Sequence, residues 1–259
     1  MQNRLALIDA DSIVYIVAWH HKESEEFFVV QAVDSIVSEI LSKTNATHYL
    51  GAFTADHHFR YEVYKYADYK GHRGEKPEWV GKWEVFIKNY LMDKWGFVMP
   101  VNCEADDVLS GYPFVMEEQM EIVYCSPDKD LRQLTGMHFN YKSMENTIEI
   151  VTEDQADYNL CFQLLTGDST DNIKGIPGMG EVKAKKLLSE CIDWMDRHSK
   201  VFEQYLKSFG DYYGPIIFDE TVQTITLLNP SHKQWDPKLL SGFVPRIVPS
   251  INEDLPDLV

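Results

Sequence analysis

Gly167-Asp-Ser-Thr-Asp-Asn-Ile-Lys-Gly-Ile-Pro-Gly-Met-Gly-Glu-Val-Lys-Ala-Lys-Lys-Leu-Leu188 is the stretch around which the rest of the chain is organised. Its first half holds two carboxylates, Asp168 and Asp171, three positions apart. Its second half is a glycine-rich turn, Gly175 to Gly180, running into a helix that carries Lys183, Lys185 and Lys186. Glycine permits a tight turn and close backbone approach. Amides at the start of the following helix favour an anion. Val182, Ala184, Leu187 and Leu188 are expected to pack that helix down. The lysines are then left for solvent or phosphate.

This is the pattern of a helix-hairpin-helix, which holds a nucleic-acid backbone without reading bases. The plainer alternative is an ordinary helix start after a glycine turn. The full Gly-Ile-Pro-Gly-Met-Gly string, followed by alanine and lysines, is more specific than a glycine pair.

The 259 residues suffice for one large domain or two modest ones, and the net charge is −17. That charge alone argues against a nucleic-acid partner, but its distribution matters more. From His57 to Lys94 there are eight Lys/Arg against six Asp/Glu. Within that segment, Arg60, Lys65, Lys70 and Arg73 alternate with Phe59, Tyr61, Tyr64, Tyr66 and Tyr69. Cations interleaved with aromatics suit a single strand. Tyrosines covering a core edge explain the composition equally well. Four scattered cysteines without a CxxC read as reduced thiols of a cytosolic protein. No apolar run approaches a membrane span.

Leu5–Ile8 is a buried strand ending in Asp9, with Asp11 readable as a helix cap. Ala32–Leu41 has helical spacing. Tyr49–Phe53 is a second strand, and Trp79–Trp95 a helix. Phe97–Val101 is expected as a third strand, followed at once by Glu104-Ala-Asp106-Asp107. Glu121–Ser126 is a fourth, ending in Asp128 and Asp130. A hairpin over His138–Val151 precedes a helix announced by the capping box Thr152-Glu-Asp-Gln155. Lys200–Phe209 and Thr221–Leu228 read as further helices. The acidic tail Asn252–Val259 reads as a docking peptide or a frayed terminus.

Four segments thus place acids at comparable points: Asp9; Glu104, Asp106 and Asp107; Asp128 and Asp130; Asp168 and Asp171. In a parallel sheet the first three fall on one edge, where sites gather. So many carboxylates repel one another unless a counterion intervenes. Hard divalent cations, Mg²⁺ or Mn²⁺, are the natural partners. Two such ions activate water and stabilise the leaving oxygen in phosphodiester hydrolysis. The pairs His20-His21 and His57-His58 lack metal-ligand spacing, which argues against zinc.

Asp9-Ala-Asp11, Glu104-Ala-Asp-Asp107, Ser126-Pro-Asp-Lys-Asp130 and the Gly167–Gly180 string resemble, in order, the motifs of the 5′–3′ exonuclease/flap endonuclease family. That family spans bacteriophage 5′-nucleases and the 5′-nuclease domains of bacterial DNA polymerases. The resemblance covers roughly Leu5 to Leu188. It implies a PIN-like α/β fold, with a mostly parallel central sheet flanked by helices. The nuclease domain would span 1–151, with an arch or clamp over about 57–95. A helical region 152–259 would carry the helix-hairpin-helix over about 168–190 and the acidic tail.

By motif match, Asp9, Glu104, Asp106 and Asp128 sit nearer a first Mg²⁺ or Mn²⁺. Asp130, Asp168 and Asp171 serve a second, and Asp107 is a ligand or a group behind the ligands. Tyr69-Lys70-Gly-His-Arg73 resembles the stretch leading into the family's arch, which puts Lys70 and Arg73 on the scissile phosphate. Arg60, Gly178, Gly180 and Lys183 join them as DNA contacts, and related hairpins bind K⁺. The implied partners are DNA 5′ ends, flaps or nicks, sometimes RNA–DNA hybrids, with a single-strand-binding protein as a helper. A cytoplasmic monomer acting in DNA replication or repair, of bacteriophage type, fits this reading.

Two departures stand out. The family often has Asp directly after the second strand's Phe; here Thr54 follows Phe53, and Asp56 is the substitute. The segment between Arg73 and Glu104 is short, which favours an open clamp over a closed arch. Two other readings compete. A catalytically silent junction-binding module predicts loss of the acids. A PIN-type endoribonuclease has no need of the hairpin.

Overall fold

In the computed structural model, which describes residues 3–240 and 242–249, β1 (Arg4–Asp9) is the centre of the sheet. Leu5, Ala6, Leu7 and Ile8 are all fully buried. A strand covered on both faces reads as a continuous apolar run rather than an alternation. Its two faces nevertheless serve different cores. Ala6 and Ile8 pack with α1 (Ala10–His20) and α2 (Glu26–Thr44). Leu5 and Leu7 point the other way. β2 (His48–Ala52) pairs parallel to β1 with Leu50 opposite Leu7.

A short helix α3 (Arg60–Val63) follows, then α4 (Glu78–Tyr90), which continues through a π-type turn to Trp95. α5 (Ala105–Gly111) packs with Leu5 and Leu7 on the second face. β3 (Glu121–Cys125) pairs parallel to β1, and β4 (Gly136–Phe139) parallel to β3. β5 (Ile148–Val151) is antiparallel to β4 and forms one edge.

Three sequence expectations change. Phe97–Val101 is not a sheet strand; it touches the sheet through a single bridge, Val98 to Ala52. Pro100 has no N–H to continue the pairing, and Asn102 turns the chain with φ 58°. The Phe97 ring instead lies against Gly51, where a Cβ would sit 2.4 Å from it. Second, α4 is not a free arch. Val80, Trp83 and Ile87 are buried with the α1 and α2 core, so the longest continuous exposed run of the segment is 71–78. Third, the boundary at 151 does not isolate the C-terminal region. Leu227, Leu228 and Leu240 pack with Leu5 and Leu7. The expected tail over 252–259 lies outside the described residues. Among the described residues, no helix is long and apolar enough to cross a membrane.

α6 (Glu153–Thr166) starts at the expected capping box, with the Thr152 hydroxyl accepting from Gln155 N and the Gln155 side chain accepting from Thr152 N. It delivers β6 (Gly167–Asp168), which pairs antiparallel with β7 (Ile173–Lys174). α7 (Glu181–Ser189) follows the glycine turn, with Gly178 at φ 75°. α8 (Trp194–Ile225) is broken at Gly210 into two helices; the first contains the expected Lys200–Phe209, whereas the second begins ten residues before the expected Thr221 and ends at Ile225 rather than Leu228. β8 (Arg246–Ile247) returns to pair antiparallel with β2.

The hairpin rests on a third core, in which Leu164, Ile176, Ala184 and Leu188 meet Tyr64, Tyr69 and Tyr205. Tyr64 and Tyr69 are therefore core-edge residues, and the Tyr64 hydroxyl accepts from Lys174 N at 2.7 Å. Val182, expected inward, is 83% exposed.

Gly167 and Gly175 pass at backbone distance: a Cβ on Gly175 would lie 2.2 Å from the Thr166 carbonyl carbon. Gly175→Ala is expected to destabilise the chain by about 1–3 kcal/mol through this overlap. At Gly74 a Cβ meets nothing, so Gly74→Ala serves as the neutral control. Urea unfolding of both variants checks this, and a wild-type midpoint for Gly175→Ala would refute it.

Candidate active site

The C-terminal ends of β1 and β3 lie side by side because Ile8 is in register with Cys125. Asp9 therefore meets Ser126, whose hydroxyl donates to Asp9 Oδ2 at 2.8 Å. Asp9 also caps α1, accepting from Ser12 Oγ at 2.6 Å. The cap is thus Asp9 itself, while Asp11 accepts from Thr54 N at 2.8 Å. Ser126 Oγ accepts from Asp128 N, and Asp128 Oδ1 from Asp130 N, each at 2.9 Å. This chain of local bonds fixes the Ser126–Asp130 loop on the sheet edge.

Asp106 and Glu104 arrive from the other side, at the start of α5. Asp168 and Asp171 arrive from the hairpin. Asp9, Glu104, Asp106, Asp128, Asp130, Asp168 and Asp171 all line one cleft of about 1000 Å³, together with Lys70 and Arg73. The structure thus brings together seven of the eight carboxylates proposed from sequence. Asp56 is exposed on the same lining.

The cleft divides electrostatically. In one half, burial and Asp11 push Asp9 up to about 6. Burial and Asp128 push Asp130 up to about 7. Burial, with Asp9, Asp128, Glu104 and Asp130 around it, raises Asp106 well above the ordinary range. Among the described residues, no hydrogen-bond donor reaches the Asp106 carboxylate.

In the other half the acids have internal cations. Burial works against the Glu104 charge, yet Arg60, Lys70 and His58 hold it at about 2. Lys70 Nζ bonds Glu104, and Arg73 bonds Asp171 at 2.5 Å. The Tyr69 hydroxyl donates to Asp171 at 2.8 Å. Lys129 approaches Asp168 Oδ2 at 3.3 Å, but that buried oxygen receives no hydrogen bond.

The Asp106 carboxylate and Asp168 Oδ2, oxygens without hydrogen bonds among acids that repel one another, suit a hard divalent cation. The residues present fit one, and most plainly around Asp9, Asp106, Asp128 and Asp130.

Two expected site residues are buried at the back of the cleft, Arg60 against its lining and Asp107 behind it. Arg60 is only 2% exposed and cannot face DNA. Its guanidinium grips Asp107 in a two-pronged pair, at 2.5 and 2.8 Å, and donates to the Thr224 carbonyl at 2.7 Å. Asp107 is fully buried. Its oxygens also accept from Glu104 N and Leu228 N, which leaves it no free lone pair for a metal. Of the three acids in Glu104-Ala-Asp-Asp107, one therefore holds the fold. Gly178, Gly180 and Lys183 lie outside the cleft lining. Gly180 caps α7, and Lys183 Nζ donates to the Gly178 carbonyl at 2.8 Å.

Other participants escaped the sequence. His58 is 1% exposed and reaches Glu104 at 3.1 Å; its neighbour His57 gave no ligand spacing to mark it. Gln163 holds Asp130 Oδ1 at 2.5 Å from within α6. A buried amide beside Leu164 and Leu165 was the available signal.

A family profile described as 5′-3′ exonuclease, N-terminal resolvase-like domain, matches residues 4–160. The chain is 29% identical over 212 residues to DNA polymerase I of Bacillus caldotenax, covering 73% of this chain and 24% of that protein. It thus spans about a quarter of the length of the DNA polymerase I relatives it matches. It is 28% identical over 196 residues to flap endonuclease Xni of Shewanella loihica, covering 72% and 76% of the two chains. Its fold is similar to that of the bacteriophage T5 flap endonuclease solved with DNA and metal ions, with TM-score 0.67 and 15% identity over 86% of this chain and 89% of that one. The match over residues 4–160, more than half of the chain, places it in the 5′-3′ exonuclease, N-terminal resolvase-like domain family.

Proposed function

We propose that this protein is a metal-dependent 5′-nuclease that hydrolyses phosphodiester bonds at 5′ ends, flaps or nicks of DNA. The observation that carries this reading is the gathering of seven carboxylates with Lys70 and Arg73 on one cleft. The acids alone would suit several metal hydrolases. The two cations on the same lining add phosphate recognition.

Asp9, Glu104, Asp106 and Asp128 would hold one Mg²⁺ or Mn²⁺, and Asp130, Asp168 and Asp171 a second. Bound there, the ions supply an activated water and stabilise the leaving oxygen. Lys70, bonded to Glu104, and Arg73, bonded to Asp171, would orient the scissile phosphate. Tyr69 keeps those two acids in place through its hydroxyl. Lys183 and the amides at the start of α7 would grip the duplex backbone away from the cleft; a K⁺ at that hairpin belongs to the same proposal. Loop Gly71–Pro77 is too short to be a closed arch, so an open clamp is the better description.

The test is cleavage of a 5′-labelled flap DNA, with and without Mg²⁺ or Mn²⁺, by wild type and Asp128→Asn. Metal-dependent cutting near the junction, lost in the variant, is the expected result. Junction binding without cutting in either metal would favour a silent module instead. Cutting of RNA with no action on 5′ DNA structures would overturn the substrate assignment.

A further inference from the structure

A second ligand cluster lies away from the cleft, where α6 meets the start of α8. Asp157 and Cys161 stand one turn apart on α6, and His198 faces them from α8. Among the described residues this is the trio whose ligand atoms all lie within 4.8 Å of one another. His198 Nε2 lies 2.6 Å from Asp157 Oδ1. The other oxygen of Asp157 is held by Arg197, which also bonds Asp154. The carboxylate is thereby oriented with Oδ1 toward the histidine and thiol. Cys161 is fully buried, whereas His198 is partly exposed and gives an entry path.

We infer that Asp157, Cys161 and His198 form a transition-metal site that pins α6 to α8. One sulfur, one imidazole nitrogen and one carboxylate oxygen select a borderline-soft ion such as Zn²⁺ or Co²⁺ rather than Mg²⁺. Bonds of ~2.0–2.3 Å place ligand atoms roughly 3–4 Å apart, so modest side-chain rotation completes the site. A solvent molecule takes the fourth position. On binding, the Cys161 thiol gives its proton to solvent and ligates as thiolate. His198 and Cys161 are 37 positions apart, so the trio has no ligand spacing visible in the sequence.

The site has a consequence for the fold around the cleft. α6 carries Gln163 to Asp130 and ends at Asp168, and Tyr205 of α8 already donates to the Leu164 carbonyl at 2.6 Å. An ion would add a second tie between the same helices. The inference does not rest on the proposed nuclease activity.

Co²⁺ titration of the full chain tests it optically. A thiolate-to-cobalt charge-transfer band is expected with one equivalent of Co²⁺. It should vanish in Cys161→Ser and persist in Cys191→Ser and Asp128→Asn. His198→Ala, at a partly exposed position, should weaken Co²⁺ binding at the thiol by more than about a hundredfold, beyond the usual effect of losing only a ligand's hydrogen-bond partner. Absence of any such band in wild type would overturn the site. So would a band that survives Cys161→Ser, disappears only in Cys191→Ser, or is indifferent to His198→Ala.

Discussion

Asp106→Asn is expected to lower flap cleavage by three orders of magnitude or more, roughly 4 kcal/mol of transition-state stabilisation, while making the metal-free protein more stable. The two effects have one cause. Asp106 sits among Asp9, Asp128, Glu104 and Asp130, and no donor among the described residues satisfies it. Neutralising it relieves repulsion and removes a ligand in the same change. A gain of each kcal/mol would raise the melting temperature by about 2–4 °C in a chain of this size.

The same electrostatics fix a pH dependence. Asp9 and Asp130 keep their protons to about 6 and about 7 in the folded chain, against an ordinary 3.8. Between those limits the folded state binds more protons than the unfolded one, so stability falls as pH rises. For the buried Asp9 alone, the loss from pH 4 to pH 7 is on the order of 3 kcal/mol. Saturating Mn²⁺ should flatten this slope. Thermal melts across pH 4–8, with chelator and with metal, check both points. Asp106→Asn melting below wild type in chelator would refute the repulsion argument, whatever its activity.

The second large effect concerns Arg60. Arg60→Met is expected to cost roughly 3–5 kcal/mol of stability, the usual penalty for leaving a buried partner charge uncompensated. Asp107 would keep two backbone donors but lose its cation, and Glu104 would keep Lys70 as its remaining cation. The double variant Arg60→Met/Asp107→Leu should recover part of the loss, because no orphaned charge remains. Urea unfolding measures both. Where Arg60→Met remains folded, the salt dependence of DNA binding should keep its wild-type slope, since no phosphate contact has been removed. A stable variant with a shallower salt slope would restore Arg60 to the DNA-binding surface.

The differences between sequence and structure have physical explanations. Asp107 read equally as a ligand or as a group behind the ligands, and Arg60 as a DNA contact, because a charge in sequence carries no sign of burial; the structure makes Asp107 the group behind Glu104. They are 47 positions apart, and only the tertiary fold makes them partners. The basic-aromatic stretch split for the same reason: Tyr64 and Tyr69 turn inward onto the hairpin core, while Tyr61 and Tyr66 are each 38% exposed. Phe97–Val101 has strand composition, yet Pro100 and the Asn102 turn limit it to one bridge. α4 has the expected periodicity, but its apolar face met the α1–α2 core instead of standing free.

Much was local, and so readable without coordinates. The apolar run Leu5–Ile8, the Thr152 capping box and the Gly175–Gly180 turn depend on neighbours within a few residues. They determine a buried central strand, a helix start and a hairpin wherever the chain places them. Acids at the ends of β1 and β3 were likewise determined, because strand direction alone puts them on one sheet edge. What only tertiary structure decided is which charges face one another. It paired Lys70 with Glu104 and Arg73 with Asp171, sealed Asp107 under Arg60, and left Asp106 without a donor among the described residues. Electrostatic energy depends on separation and burial in space, and neither is encoded in the order of residues along the chain.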